Sequence, residues 1–290
     1  MSFFAVGDDG LILSLVGATL RHARVGSYDS QGSYHFYNLN AVARTHVAGE
    51  DFEHVVCVSD TDGLYWFRSQ QGWHRGTTGV RVNAIAFARG TLTGFAAGDD
   101  RFVLMTTNAK DWTTRFGGTG LRNLRAVCAA DEHQVWVAGD EGEIHKSSDG
   151  GSCWSQVDTR VSKHLRGICC GSGLVIAVGD DGIVVFHKNG TWRHTQITGK
   201  HLRAVAMSPN GRVIAVGDDG WIGIRQPAAS GSEADHWADH PHVTSKHLRG
   251  VTALDDYRWA IVGDSTFLTS DDGGIHWHQH ATSSTLNAVC

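Results

Sequence analysis

The chain has 290 residues, 41% of them hydrophobic and 19% charged, with 36 glycines against 3 prolines and a net charge of −5. That balance excludes an intrinsically disordered chain, and no apolar run approaches the ~18 residues a membrane helix needs, so no membrane span is expected. A mildly acidic whole also argues against a nucleic-acid partner, whose phosphates call for an extended basic surface.

Met1 leads straight into Ser2-Phe3-Phe4-Ala5-Val6 without a basic start, long apolar stretch or cleavage site, which makes a cytoplasmic location the expectation. Phe3 to Val6 reads as a strand. A tetrad Leu-(Arg/Asn)-(Ala/Gly)-(Val/Ile) then begins at Leu39, Leu124, Leu165, Leu202, Leu248 and Leu286, with Val82-Asn83-Ala84-Ile85 as a close variant. The spacings are 43, 42, 41, 37, 46 and 38, and the wrap through the C-terminus to Leu39 is again 43.

Each unit also holds an acidic turn: Gly7-Asp8-Asp9-Gly10, Ser59-Asp60-Thr61-Asp62-Gly63, Gly98-Asp99-Asp100, Gly139-Asp140-Glu141-Gly142, Gly179-Asp180-Asp181-Gly182, Gly217-Asp218-Asp219-Gly220 and Gly263-Asp264. Asp-Gly between apolar β-branched runs, such as Leu174 to Val178 and Ile183 to Phe186, marks a tight hairpin. A tryptophan opens a fourth strand at Trp73, Trp112, Trp154, Trp192, Trp237 and Trp277. Four short strands every ~40 residues define a propeller blade. The expected fold is an all-β, seven-bladed β-propeller over residues 1–290 as a single domain. Its last inner strand, Leu286 to Cys290, joins the N-terminal strand and so closes the ring.

Ser147-Ser148-Asp149-Gly150-Gly151-Ser152-Cys153-Trp154 and Ser270-Asp271-Asp272-Gly273-Gly274-Ile275-His276-Trp277 resemble the Asp-box, S-x-D-x-G-x-x-W, of neuraminidase-repeat propellers. With the acidic hairpins and the Leu-Arg-x-Val strands, the whole chain resembles the propeller family of photosystem II assembly and stability factors. That resemblance implies the propeller fold and a binding role in assembly.

Most of these motifs serve the fold. The Asp-box carboxylates suit Asx-type turns, and the tryptophans suit wedges between sheets. Ala43, Ala86, Cys128, Cys169, Ala206, Thr252 and Cys290 share one inner-strand position, where small residues fit around the axis. The six cysteines show no CxxC spacing, so reduced thiols are expected, and no cofactor or metal is indicated by them. His276, His278 and His280 alternate as along a strand.

One feature breaks the sevenfold pattern. Arg122-Asn123-Leu124-Arg125, Lys163-His164-Leu165-Arg166, Lys200-His201-Leu202-Arg203 and Lys246-His247-Leu248-Arg249 hold eight of the 25 lysines and arginines in four consecutive units. Placed on the connectors beside the channel mouth, they form an expected basic crescent for an acidic peptide or protein segment, unless each Arg merely pairs with a hairpin Asp. The first unit carries a longer connector, Ser27 to Tyr37, whose Tyr34 and Tyr37 suit a recognition loop. Trp221, beside Asp218-Asp219-Gly220, is a further candidate for that face, and Pro227 to Asp235 reads as a loop without motif.

Three function classes remain. A non-catalytic binding or assembly scaffold needs no catalytic constellation, and none is visible. An enzyme would use the His/Arg cluster, with His164, His201 and His247 as possible metal ligands. A sugar-binding propeller would need near-identical aromatic pockets in every unit, which the differing loops do not supply.

Overall fold

The computed structural model describes residues 2–17, 19–28, 31–50, 52–61, 63–69, 71–118, 121–188, 190–226 and 236–290. The expected loop from Pro227 to Asp235 lies outside them. Seven four-stranded antiparallel sheets stand in a ring. Blades 1 to 6 begin on the inner strands Leu39–Thr45, Val82–Phe87, Leu124–Ala129, Leu165–Gly171, Leu202–Met207 and Leu248–Ala253, each followed outward by its next three strands in sequence order. Blade 7 is composite, with Leu286–Val289 innermost, then Ser2–Gly7, Leu11–Val16 and Thr19–Arg24. No helix among the described residues is long and apolar enough to cross a membrane.

The hydrophobic periodicity explains where the core sits. Second strands such as Val135–Gly139 and Val213–Gly217 are buried on both faces, since each sheet is sandwiched between two neighbours. Each seam between adjacent blades holds one apolar cluster. Cys128, Trp136, Ile144, Ile168 and Val185 join blades 3 and 4, and Phe3, Leu13, Val262 and Phe267 join blades 6 and 7. The six fourth-strand tryptophans lie half-buried in these seams, as the wedge reading requires. Cys128 and Cys169 are buried in the axial layer of small residues, and all six cysteines are free. Burial pushes the Cys290 thiol up to about 12, so it is inert at neutral pH.

The S-x-D-x-G turns are Asx structures. Asp149 Oδ1 accepts the Cys153 N–H at 2.9 Å while Ser147 Oγ accepts the Gly151 N–H at 2.8 Å, and Asp272 and Ser270 repeat this. Blade 2 builds a related turn from Thr106 and Asn108, whose Oδ1 accepts the Asp111 N–H at 2.8 Å.

The seam between blades 2 and 3 carries a charged knot. Arg101 stands where Gly10, Gly142, Gly182 and Gly220 stand in other turns, and its guanidinium crosses to Glu143. Glu143 is 3% exposed and also contacts His145 Nε2 at 2.6 Å. Arg101 Nε and Glu143 Oε2 find no further partner among the described residues. Removing one member of such a buried set leaves the other charge uncompensated.

Two outcomes follow from this packing. Deleting residues 286–290 removes the fully buried Leu286 and the buried Val289 together with the ladder to Ser2–Gly7. The two side chains alone represent roughly 3 to 6 kcal/mol, so the melting temperature should drop by about 10 °C or more. An unchanged midpoint would show that the seam does not depend on that strand. At the charged knot, burial holds the His145 imidazole below its ordinary value. The native state therefore prefers the neutral ring, and stability is full above the unfolded value of about 6.5 and falls as pH drops below it. His145→Gln should flatten the slope of melting temperature against pH between about 7 and 5, while Glu143→Gln should cost about 3 kcal/mol or more. Thermal melts across that pH range check both.

Candidate functional site: the turn face of blades 3 to 6

The turns joining second and third strands all emerge on one face of the ring, beside the connectors that lead into the inner strands. Five of them are single 3₁₀ turns: Asp8–Gly10, Asp99–Arg101, Asp140–Gly142, Asp180–Gly182 and Asp218–Gly220. Their middle residues Asp9, Asp100, Glu141, Asp181 and Asp219 are left-handed, with φ between 52° and 55°. Asp tolerates this conformation better than most side chains.

In every blade the N–H of the turn's first Asp donates to the carbonyl just before its own inner strand. Asp140 reaches Asn123, Asp180 reaches His164, Asp218 reaches His201 and Asp264 reaches His247, each at 3.0 Å. In six blades the preceding residue is a glycine, which leaves room for this approach; in blade 1 it is the buried Ser59. A Cβ on Gly179 would lie 2.0 Å from the His164 carbonyl oxygen, and one on Gly139 would lie 2.2 Å from that of Asn123.

The carboxylates of these corners take the arginines. Arg125 forks onto Asp140 through Nε and Nη2, Arg166 does the same on Asp180, and Arg203 and Arg249 donate Nε to Asp218 and Asp264. Burial works to raise the Asp180 carboxyl, but the hydrogen bond and charge of Arg166 hold it below the usual carboxylate range. Lys163 pairs with Asp181, Lys200 with Asp219 at 3.2 Å, and Arg122 with Glu141. Lys246 is exposed and has no ion pair among the described residues, because Ser265 stands where Asp181 and Asp219 stand in the two preceding blades. The arc is thus a lattice of alternating charges, in which seven of the eight cations of the quartets pair with seven carboxylates and Lys246 is left over.

The histidines have a role that spacing alone did not reveal. His164 Nδ1 accepts the Glu141 N–H at 3.3 Å, His201 Nδ1 the Asp181 N–H at 3.1 Å, and His247 Nδ1 the Asp219 N–H at 3.2 Å. Each donor is the left-handed residue of the previous blade's turn, so each histidine latches one blade to the next. Asparagine fills the same position elsewhere: Asn38 Oδ1 accepts the Asp9 N–H and Asn123 Oδ1 the Asp100 N–H, both at 3.2 Å. A neutral imidazole that accepts at Nδ1 carries its proton on Nε2. The half-exposed rings therefore offer a row of N–H donors in place of the lone pairs that metal ligation requires. Among the described residues no three His, Cys, Asp or Glu side chains group as a metal site. Each Nδ1 also lies 3.0 to 3.3 Å from the first Asp of that preceding turn, a carboxylate ready for the proton when the ring is charged.

The other candidates divide. The long connector forms an added hairpin, Gly26–Tyr28 with Tyr34–Phe36. Tyr34 is exposed and meets Phe36 edge-on at 5.2 Å, while Arg24 lies over Phe36. Tyr37 is half-buried against Trp66 of blade 1, at 5.9 Å between centroids. Trp221 does not reach the surface: it is 5% exposed in the seam of blades 4 and 5, with Nε1 donating to Asp239 at 3.1 Å. Its apolar ring is worth more in that seam than in water, which takes it out of the candidate surface.

The architecture is that of a seven-bladed β-propeller. No family model and no curated protein sequence matches the chain. Solved structures do resemble it in fold. YCF48 bound to D1 peptide superimposes with a TM-score of 0.62 at 18% identity, covering 84% of this chain and 81% of that one. YCF48 from Cyanidioschyzon merolae gives 0.63 at 16% identity over 86% of each chain. The WD40 repeats of RRP9 give 0.71 at 13% identity over 99% of this chain and 91% of that one.

The latch predicts a contrast between two triple variants. Replacing His164, His201 and His247 by Asn keeps an acceptor at each corner and should leave the melting temperature within about 2 °C. Replacing all three by Ala strands three turn N–H groups and should cost roughly 1 kcal/mol per corner, additive over such separated sites. Equal loss in both variants, measured by calorimetry, would contradict the latch.

Proposed function

We propose that this protein is a non-catalytic, single-domain binding scaffold that captures an acidic peptide or protein segment on the turn face of blades 3 to 6. The observation that carries the reading is the substitution of Arg for Asn. In blades 2 and 7 the residue after the tetrad's first position is Asn83 or Asn287, which donates both to its turn Asp and to the next blade's carbonyl at 2.8 to 3.1 Å. Asparagine therefore suffices to hold a corner. Blades 3 to 6 carry Arg125, Arg166, Arg203 and Arg249 instead, each about one-third exposed with guanidinium N–H groups left over for a second acceptor.

Their fork suits a carboxylate, and the charge-assisted bonds are strong where water is excluded. Lys163, Lys200 and Lys246, with the Nε2–H groups of His164, His201 and His247, extend the donor row. The pairs of Lys163 and Lys200 are exposed and worth only ~0 to 1 kcal/mol each, so an incoming acid replaces them at little cost. The hairpin bearing the exposed Tyr34 and Phe36 leads into blade 1 and offers aromatic surface there. A peptide-bound propeller of similar shape, and the resemblance of the repeats to photosystem II assembly and stability factors, support a peptide or protein partner in an assembly role.

The test uses a fluorescein-labelled dodecapeptide of alternating Glu and Gly and its Gln counterpart. In low salt the acidic probe should bind about tenfold tighter than the neutral one. Arg166→Asn with Arg203→Asn should abolish that preference while the melting temperature stays within a few degrees, because Asn serves at this position in other blades. Retained preference in a folded double variant would move the site elsewhere.

A further inference from the structure

The opposite face of the ring holds a cavity of about 650 Å³ at the channel axis, within the range of small-ligand sites. All seven blades line it where their inner strands end. It exists because those ends are small: Gly90, Ala129, Ala130, Gly171 and Ser172 leave the axis unfilled.

Its wall is chemically lopsided. Blades 1 and 2 contribute Arg44, His46 and Arg89, whereas blades 5 and 6 contribute Met207 and Leu254, with Phe87 beside the cations. No Asp or Glu side chain belongs to the lining, and the Cys290 main-chain oxygen accepts the Phe4 N–H at 3.1 Å. Arg44 is committed to the half-buried Glu53 at 2.7 Å, but Arg89 is exposed and has no ion pair among the described residues. The acids of the surrounding loops are engaged as well. Asp131 accepts the His133 and Gln134 N–H groups, Glu132 the Thr93 hydroxyl, Asp255 pairs with Arg258, and Asp256 accepts the Asn210 N–H. A cavity with cationic side chains on one flank and apolar carbon and sulfur on the other selects an amphipathic anion.

We propose that this cavity is a second binding site, distinct from the turn face, for a small organic carboxylate with an apolar body. The carboxylate sits on Arg89, with the His46 imidazole nearby. The apolar body lies against Met207, Leu254 and Phe87. Nothing in this assignment depends on the acidic-peptide reading, since the two faces share no residue.

Octanoate and its neutral analogue octanamide are the probes, in isothermal titration calorimetry at low salt. Octanoate should bind one per chain and about tenfold tighter than octanamide, from one charge-assisted contact. Arg89→Gln should bring the two to within about twofold of each other, with the melting temperature unmoved because Arg89 is exposed and makes no ion pair. Arg166→Asn with Arg203→Asn should leave octanoate binding as it was, which separates this site from the turn face. Equal affinity of the two probes, no binding of either, or an unaltered preference in Arg89→Gln would each overturn the assignment.

Discussion

The corner at which a turn aspartate folds back on its own inner strand, past a glycine in six blades and past Ser59 in blade 1, is the contact on which the ring depends. With no Cβ in the way, the Asp180 N–H reaches the His164 carbonyl at 3.0 Å, and the same bond recurs in every blade. That return fixes the left-handed residue next to it, whose N–H then points outward to the following blade. Asn38, Asn123, His164, His201 and His247 receive those N–H groups, so a bond local to one blade also sets the position of the next. The seam clusters supply most of the free energy, but they are non-directional; the corners give the ring its registry.

The proposed function rests on corners that carry more than registry requires. Asn83 and Asn287 show the smaller solution, while the four arginines hold the same carboxylates and keep donors in reserve. Ion pairing between arginine and hairpin aspartate and recognition of an acidic partner are therefore compatible on one surface. The pairs align the guanidinium groups, and aligned donors lose less side-chain entropy when a second acceptor arrives.

Much of the fold was legible because propeller blades repeat. Tetrad spacing, acidic turns and the periodic tryptophans each mark one strand or one turn, and the wrap from Leu286 to Leu39 gave the composite blade. The candidate site was only half legible. That Arg166 meets Asp180 was foreseeable from their places in one blade, but the histidine latch needed three dimensions, because His201 and Asp181 belong to neighbouring blades. Trp221 looked like a surface residue from its place at the turn, yet the residue after a Gly-Asp-Asp-Gly turn points back into the seam. Arg101 in the place of a turn glycine was the visible trace of the knot with Glu143, and Thr106-x-Asn108 the trace of a further Asx turn. The axial cavity left no motif, since Arg44 and Met207 occupy one shared position just beyond the tetrads at which the repeats place different residues, Phe87, Ala129, Cys170 and Ala253 among them.

The most direct test of the account is to map the acidic Glu-Gly dodecapeptide onto the chain by amide chemical-shift changes in the deuterated protein. The account predicts shifts confined to the connectors at 122–125, 163–166, 200–203 and 246–249 and to the turns at 140–142, 180–182, 218–220 and 264–265. Shifts at Arg89, Ser172 and Met207, or spread evenly over the seven blades, would contradict it.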